Sequence, residues 1–279
     1  MNFDSGVDIE VAKFAGFCYG VKNAVNLTRE ALEKEQNVYS TDHIVHNQII
    51  NDEFEEHGMH FVDSIDEIPE GSTIILRAHG VGRTTIEACE NRKLKTINTT
   101  CPNVLKIHEL VKKYSAEGYK IVIVGDKHHD EINGIVGWID GEYEVVSEIE
   151  EVGQYEKICL VSQTTTNIDF WNEISEKIKN NAKECITFDT ICMATYNRQK
   201  EAKELAQRVD TFIVIGDLKS ANSQRLYEIS KDFCKNTLFI QTEKDIEVGM
   251  IKGQKVGITA GASTPEVVIK KVIEKIKLG

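Results

Sequence analysis

The sequence has little proline, three residues in 279, and no stretch rich in glycine, serine and proline that would serve as a flexible linker. Any domains it forms must abut closely. No apolar run approaches the ~20 residues that a membrane-spanning helix needs. The first residues, Met1 to Glu10, are polar and acidic, unlike a basic and then apolar signal peptide, so the expected location is the cytoplasm. Basic charge is in deficit, with 33 Lys and Arg against 45 Asp and Glu and a net charge of −12. That argues against a non-specific nucleic-acid binder but leaves room for an anionic small molecule in a locally positive pocket. Cysteine is sparse, and its count of seven is odd, which excludes a disulfide scaffold. No C-x-x-C pair occurs, and structural zinc sites usually need close pairs of that kind. All eight histidines lie between His43 and His129.

What the chain does have is a recurring unit: a short β-branched run, a polar turn, then an amphipathic segment. Ser72–Leu76 leads into Arg77-Ala78-His79-Gly80, Lys120–Val124 into Gly125-Asp126, and Lys157–Val161 into Ser162-Gln163-Thr164-Thr165. Thr211–Ile215 leads into Gly216-Asp217, and Lys255–Thr259 into Ala260-Gly261. Continuous apolar runs of this length read as strands buried on both faces of a parallel sheet. Their alternation with helices predicts an α/β protein. Helical spacing is expected over Val21–Glu35, from Pro102 to a stop at Gly118, and over Met193–Arg208, Ser223–Asn236 and Pro265–Lys277. In such folds ligands bind beyond the carboxyl ends of the strands, where the polar turns lie.

Three cysteines occupy one kind of place. Cys18 follows Ile9–Ala12, Cys101 follows Thr96–Thr100, and Cys192 follows Ile186–Ile191; each run is strand-like and each cysteine precedes a helical segment. A helix N-terminus favours a thiolate, the form that binds metal. The separations are comparable (101 − 18 = 83 and 192 − 101 = 91), which suggests three similar α/β units, each offering one sulfur to a common centre. The alternative is three unrelated core cysteines. Iron–sulfur clusters are normally held by four thiolates; three would leave one iron open. Cys159 inside a strand run, Cys185 at the start of one, and Cys89 and Cys234 within helices read as small buried apolar residues.

Other motifs bear on what such a centre would face. His43-Ile44-Val45-His46-Asn47, Arg77-Ala78-His79-Gly80 and Lys127-His128-His129-Asp130-Glu131 bring histidines to turns after strands. Ser162–Asn167, Lys219-Ser220-Ala221-Asn222-Ser223 and Ala260-Gly261-Ala262-Ser263-Thr264 are rich in hydroxyls and amides. Together they would make a cradle for a phosphate or diphosphate. Taken singly, a serine-rich turn after a strand is usually a helix cap. His43, His57, His60 and His108 read as ordinary surface or packing residues, and Glu131 alone as a surface charge.

The ordered set Gly16-Phe17-Cys18-Tyr19-Gly20-Val21, Val45-His46-Asn47, Ala78-His79-Gly80-Val81, Thr100-Cys101-Pro102, His129-Asp130-Glu131, Gln163-Thr164-Thr165, Asn197-Arg198-Gln199, Ser220-Ala221-Asn222-Ser223 and Thr259-Ala260-Gly261-Ala262-Ser263 resembles the 4-hydroxy-3-methylbut-2-enyl diphosphate reductases of the LytB type. The resemblance spans nearly the whole chain. It implies a trefoil of three α/β domains with mainly parallel sheets, residues 19–101, 102–188, and 189–279 together with 1–18, around a [4Fe–4S] cluster held by Cys18, Cys101 and Cys192. The implied reaction is a two-electron, two-proton reductive dehydroxylation. The allylic hydroxyl sits at the open iron and leaves as water, giving isopentenyl and dimethylallyl diphosphates, with a reduced ferredoxin or flavodoxin as the electron donor. By the same resemblance His46, His79, His129, Ser220, Asn222 and Ser263 are diphosphate contacts, with His129 also placed to relay protons. Glu131 is the proton donor, and Thr164 holds the substrate hydroxyl and Glu131 in place. Two positions depart from the family pattern. Ala221 stands where relatives often have a second serine, and Tyr19, beside a ligand, is often smaller.

Two other readings share the cluster. A quinolinate-synthase-type enzyme has three α/β units and three cysteines, but should not reproduce the His46, His79, His129-x-Glu131 and Ser220-x-Asn222 set. A non-catalytic iron–sulfur sensor predicts a basic or partner-binding helix, and none is evident in the sequence.

Overall fold

The computed structural model describes residues 6–278. Residues 1–5, half of the polar, acidic stretch that is unlike a signal peptide, lie outside the described residues. Along the chain come β1 (Asp8–Val11), α1 (Tyr19–Lys34), β2 (Val38–Ser40), α2 (Gln48–Glu56), β3 (Met59–Phe61), β4 (Thr73–Leu76), α3 (Arg83–Asn91) and β5 (Lys95–Asn98). Then follow α4 (Pro102–Ala116), β6 (Lys120–Val124), α5 (Asp130–Val136), β7 (Tyr143–Val146), β8 (Tyr155–Ser162), α6 (Ile168–Asn180) and β9 (Ala182–Thr187). The last part holds α7 (Met193–Ala206), β10 (Thr211–Ile215), α8 (Ala221–Lys231), β11 (Thr237–Ile240), β12 (Lys255–Ala260) and α9 (Glu266–Leu278).

The strands form three four-stranded sheets, ordered β3-β2-β4-β5, β7-β6-β8-β9 and β11-β10-β12-β1. Every pairing among the described residues is parallel. The three orders are one order repeated. The first strand of each run is flanked by the second and third, and the fourth lies outermost beside the third. In the last sheet the fourth place is taken by β1, from the other end of the chain. By contacts the chain divides into two compact units. One comprises Met1–Val21, His46–Ile50 and Met193–Gly279 and carries the sheet of β1, β10, β11 and β12. The other comprises Lys22–Val45 and Asn51–Cys192 and carries the remaining two sheets.

Burial on both faces explains the continuous apolar runs. Alternate side chains of a strand point to opposite faces. In the sheet of β6–β9, Val122, Val124, Ile158 and Leu160 pack with Trp171, Ile174 and Ile178 of α6. Ile121, Ile123, Cys159 and Val161 turn the other way, onto Ile107 and Val111 of α4 and Ile132 and Ile135 of α5. In the sheet of β10–β12 and β1, Ile213, Ile215, Val256 and Ile258 meet Val268, Val272 and Ile276 of α9, while Phe212 and Val214 meet Ala202 and Leu205 of α7 and Leu226 of α8.

Four details differ from expectation. The strand expected at Ile186–Ile191 is β9, Ala182–Thr187, and ends earlier. Beyond it, the Thr190 hydroxyl accepts from the Ser162 N–H at 2.7 Å and donates to the Ser162 carbonyl at 2.6 Å, so a side chain takes over from the ladder. The helix expected to reach Asn236 stops at Lys231, where the bonding tightens to i→i−3, from the Asp232 N–H to Ile229 O and from the Phe233 N–H to Ser230 O, ahead of β11. Cys234 is therefore outside a helix, though still buried, as are Cys89 and Cys159. Cys185 lies within β9 rather than at its start, and is partly exposed rather than buried.

Candidate active site

The repeated strand order lets the loops be superposed in sequence. Each sheet has a switch point between its first and third strands, and the loops leaving their carboxyl ends are where ligands bind in such sheets. After the first strands come Asp42 to His46, Gly125-Asp126-Lys127-His128-His129-Asp130-Glu131 and Gly216-Asp217-Leu218-Lys219-Ser220-Ala221-Asn222. In the last two, the residue at the fifth place closes a turn by donating its N–H to the aspartate carbonyl at 3.0 Å, from His129 to Asp126 and from Ser220 to Asp217. The aspartate side chain accepts from the N–H two residues on, His128 in one loop and Lys219 in the other, at 2.9 and 2.8 Å. His129 and Ser220 are thus equivalent helix N-caps, and Glu131 is equivalent to Asn222.

The cysteines repeat as consistently. The Cys101 N–H donates to Ala78 O at 2.9 Å, the Cys192 N–H to Thr164 O at 3.1 Å, and the Cys18 N–H to Ala262 O at 3.1 Å. Each bond ties a fourth-strand cysteine to the loop leaving the third strand of its own sheet. Two residues before Cys101 and Cys192, the hydroxyls of Thr99 and Thr190 donate to the last third-strand carbonyls, Leu76 O and Ser162 O, both at 2.6 Å. Two residues before Cys18, the Gly16 N–H reaches Ala260 O instead. All three sulfur positions are partly exposed. Each immediately precedes a helix, and the Val21 N–H donates to Cys18 Sγ at 3.5 Å. Among the described residues, no three His, Cys, Asp or Glu side chains form the close group that a single metal ion requires.

Within the larger unit, the loop of His79 and the loop of His129 come together, with rings edge-on and 5.9 Å apart. Glycine makes this approach possible. A Cβ on Gly134 would lie 3.0 Å from the Gly80 carbonyl oxygen, and one on Gly137 would lie 2.5 Å from Gly82 Cα. The Trp138 indole N–H donates to Val81 O at 2.9 Å, and Arg77 joins Asp42 and Asp130. His108, two turns along α4 from Cys101, is buried, stacks on Trp138 and packs beneath Gly80. Burial pushes its imidazole down to about 4.

Glu131 is buried, not a surface charge. Thr164 donates to both its oxygens, N–H to Oε1 and Oγ1–H to Oε2, each at 2.6 Å. Burial pushes the carboxyl up to about 7, and the two Thr164 bonds oppose that rise. The Glu131 N–H donates to His129 Nδ1 at 3.1 Å. Since Nδ1 accepts, a neutral His129 carries its proton on Nε2.

In the smaller unit, Ser220, Asn222 and Ser263 are buried and His46 is half-buried. Ser263 Oγ donates to the His46 carbonyl at 2.7 Å, so the loops after β2 and β12 are joined. The Asn222 Nδ2 group is buried with no hydrogen-bond partner among the described residues, an arrangement that calls for an acceptor from outside the chain. Of the two departures, Tyr19 opens α1 and is 75% exposed, and Ala221 is the first residue of α8. His57 and His60 are exposed and His43 half-buried, as ordinary residues.

The sequence reading passed over Thr165. Counting from the third-strand ends, Leu76, Ser162 and Ala260, it holds the place of His79 and Ser263, with its Oγ1 accepting from Gln163 Nε2 at 3.0 Å. Aligning the three strand ends by residue, rather than by cysteine spacing alone, would have found it.

Comparison with known proteins gives one answer. The family described as LytB protein matches residues 9–277. The 4-hydroxy-3-methylbut-2-enyl diphosphate reductase of Caldanaerobacter subterraneus subsp. tengcongensis is 40% identical over 279 residues, 97% of each chain. A solved structure of (E)-4-hydroxy-3-methyl-but-2-enyl diphosphate reductase, the terminal enzyme of the non-mevalonate pathway, is 38% identical with a TM-score of 0.72, covering 97% of this chain and 99% of its own. The E-1-hydroxy-2-methyl-but-2-enyl-4-diphosphate reductase of Plasmodium falciparum is 29% identical with a TM-score of 0.88, covering 96% of this chain and 87% of its own.

Proposed function

Because the chain belongs to the LytB family, we infer that it reduces (E)-4-hydroxy-3-methylbut-2-enyl diphosphate, with two electrons and two protons, to isopentenyl or dimethylallyl diphosphate and water. It is an oxidoreductase of isoprenoid biosynthesis. The observation that carries the reading is Glu131, a buried carboxyl pushed to about 7 and clamped by Thr164 beside the His129 cap.

Cys18, Cys101 and Cys192 fit an iron–sulfur cluster. They are three thiols in topologically equivalent places, each at a helix start and each tied through its own N–H to a loop that carries a candidate substrate residue. When bound, a [4Fe–4S] cluster with three cysteine ligands would supply the electrons and an open iron for the substrate hydroxyl. The chain's residues do the rest. His46, His79, His129, Ser220, Asn222 and Ser263 hold the diphosphate. His129 presents Nε2–H, and Asn222 Nδ2, without a partner among the described residues, supplies a second donor. Glu131, near half protonation at neutral pH, delivers a proton as the C–O bond breaks, and Thr164 keeps it aimed. The α/β parts 19–101, 102–188, and 189–279 with 1–18 would each contribute one pair of loops, with Cys101 at the end of the first part and Cys18 and Cys192 in the third. The electron donor is a reduced ferredoxin or flavodoxin.

The test is spectroscopic. Anaerobically purified protein should contain about four iron and four sulfide per chain, and its iron spectrum should shift on adding the hydroxylated diphosphate. A colourless preparation holding only zinc, or an iron spectrum indifferent to the substrate, would overturn the reading.

A further inference from the structure

Ser220 and Ser223 form a hydroxyl pair under the start of α8. Ser220 Oγ accepts from the Ser223 N–H at 3.4 Å and from Ser223 Oγ–H at 3.1 Å. A serine hydroxyl has two acceptor lone pairs and one proton. With both lone pairs turned towards Ser223, the one remaining hydrogen-bonding element of Ser220 is its proton.

We propose that Ser223 is a positioning residue that fixes the Ser220 hydroxyl as a hydrogen-bond donor to the diphosphate. The proposal rests on the functional reading above, which makes Ser220 a diphosphate contact. An unconstrained serine hydroxyl rotates, and in many orientations offers an oxyanion a lone pair instead of a proton. Ser223 removes that freedom before the ligand arrives, which lowers the ordering cost of binding.

The packing around Ser223 supports such a role. It is fully buried, and its hydroxyl sits between two glycines from the loops after β10 and β12. A Cβ on Gly216 would lie 2.2 Å from Ser223 Oγ, and one on Gly261 would lie 2.0 Å away. Neither glycine has a positive φ, so backbone conformation does not demand them; room for this hydroxyl does. The neighbouring Asn222 Nδ2, buried and unpartnered among the described residues, shows a second donor held out at the same helix start. The equivalent loop reaches the same end by other means. His129 Nδ1 is occupied by the Glu131 N–H, which leaves Nε2–H as the donor. A histidine needs one such constraint; a serine, with two lone pairs, needs the second bond that Ser223 Oγ provides.

The test is a double-mutant cycle on the iron-loaded protein, with inorganic diphosphate as a competitive ligand and with kcat and KM for the substrate. Ser220→Ala should weaken diphosphate binding about tenfold, the size of one hydrogen bond to a charged group. Ser223→Ala should weaken it about threefold to tenfold and raise KM, with kcat within about twofold. The double variant should bind no more weakly than Ser220→Ala alone. Additive losses would overturn the proposal, since Ser223 would then act apart from Ser220; so would a Ser223→Ala variant that binds diphosphate as wild type does. If Ser220→Ala binds diphosphate normally, the assignment of Ser220 as a contact falls and the proposal with it. Should the alanine variant fold poorly, Ser223→Cys, which keeps the bulk and a weak donor, should show a smaller loss of the same kind; a normal affinity there together with a normal Ser220→Ala would count against both claims.

Discussion

Thr164 holds both oxygens of Glu131, with its N–H on Oε1 and its hydroxyl on Oε2, each at 2.6 Å. Two hydrogen bonds to a carboxylate would ordinarily keep it acidic. Here burial outweighs them, and the carboxyl stands at about 7. That balance fits a group that must both hold a proton and be able to give it up.

Turnover should therefore fall as pH rises through about 7, as Glu131 loses its proton. Glu131→Gln should cut kcat by at least about a hundredfold, the usual scale of general-acid catalysis, while substrate binding changes far less. Equal losses in both would assign Glu131 a structural role. Stability gives a second readout. Because the folded carboxyl sits above its ordinary value of 4.5, the folded state binds more protons, and this stabilising contribution is lost as pH rises towards and through about 7. Thermal melts should favour Glu131→Gln over wild type more at pH 8 than at pH 5.

Thr164→Val removes one of the bonds that favour the charged form while keeping the backbone N–H bond. The carboxyl should rise further, and the pH at which turnover falls should move upward from wild type. A downward shift would contradict the assignment of the Thr164 hydroxyl as a bond that favours the charged form.

His108 is buried against Trp138, and both its ring nitrogens lack hydrogen-bond partners among the described residues. It folds in the neutral form, so its contribution is present above about 6.5 and is lost as pH falls towards about 4. His108→Phe keeps an aromatic ring on Trp138. It should lie within about 1.5 kcal/mol of wild type at pH 7 and lose less stability on acidification. Urea midpoints at pH 7 and pH 4.5 measure the difference.

Gly80 has a φ of +83°, and a Cβ there would lie 2.7 Å from His108 Cε1. The conformation alone costs a non-glycine residue about 1–2 kcal/mol, and the collision adds to it. Gly80→Ala should lower the melting temperature and weaken diphosphate binding through the adjacent His79. Normal affinity in a folded variant would separate His79 from the ligand.

Much of this was legible in the sequence. The apolar runs at β6, β8, β10 and β12 are continuous because both faces of those strands are covered, and that pattern depends on nothing remote. Cys18, Cys101 and Cys192 stood out because helix starts are marked locally, by Pro102 for instance. The end of β9 was not legible, since the Thr190 hydroxyl replaces the ladder through a bond to Ser162, 28 residues away. Nor was the burial of Glu131 or its clamp, which comes from Thr164, 33 residues away. The equivalence of Thr165 with His79 and Ser263 emerges once the strand ends are aligned, because the three loops share their place after the third strand but few residues. Ser220 and Ser223 lay in plain view as a motif, but their hydrogen bonds, and the room that Gly216 and Gly261 leave for the Ser223 hydroxyl, depend on packing.

The most direct test is anaerobic turnover: the iron-loaded protein, a chemically reduced electron donor and (E)-4-hydroxy-3-methylbut-2-enyl diphosphate, with products separated and identified. Isopentenyl and dimethylallyl diphosphates should form in wild type and nearly vanish in Glu131→Gln. A fully iron-loaded wild-type protein that leaves the substrate unchanged would contradict the account.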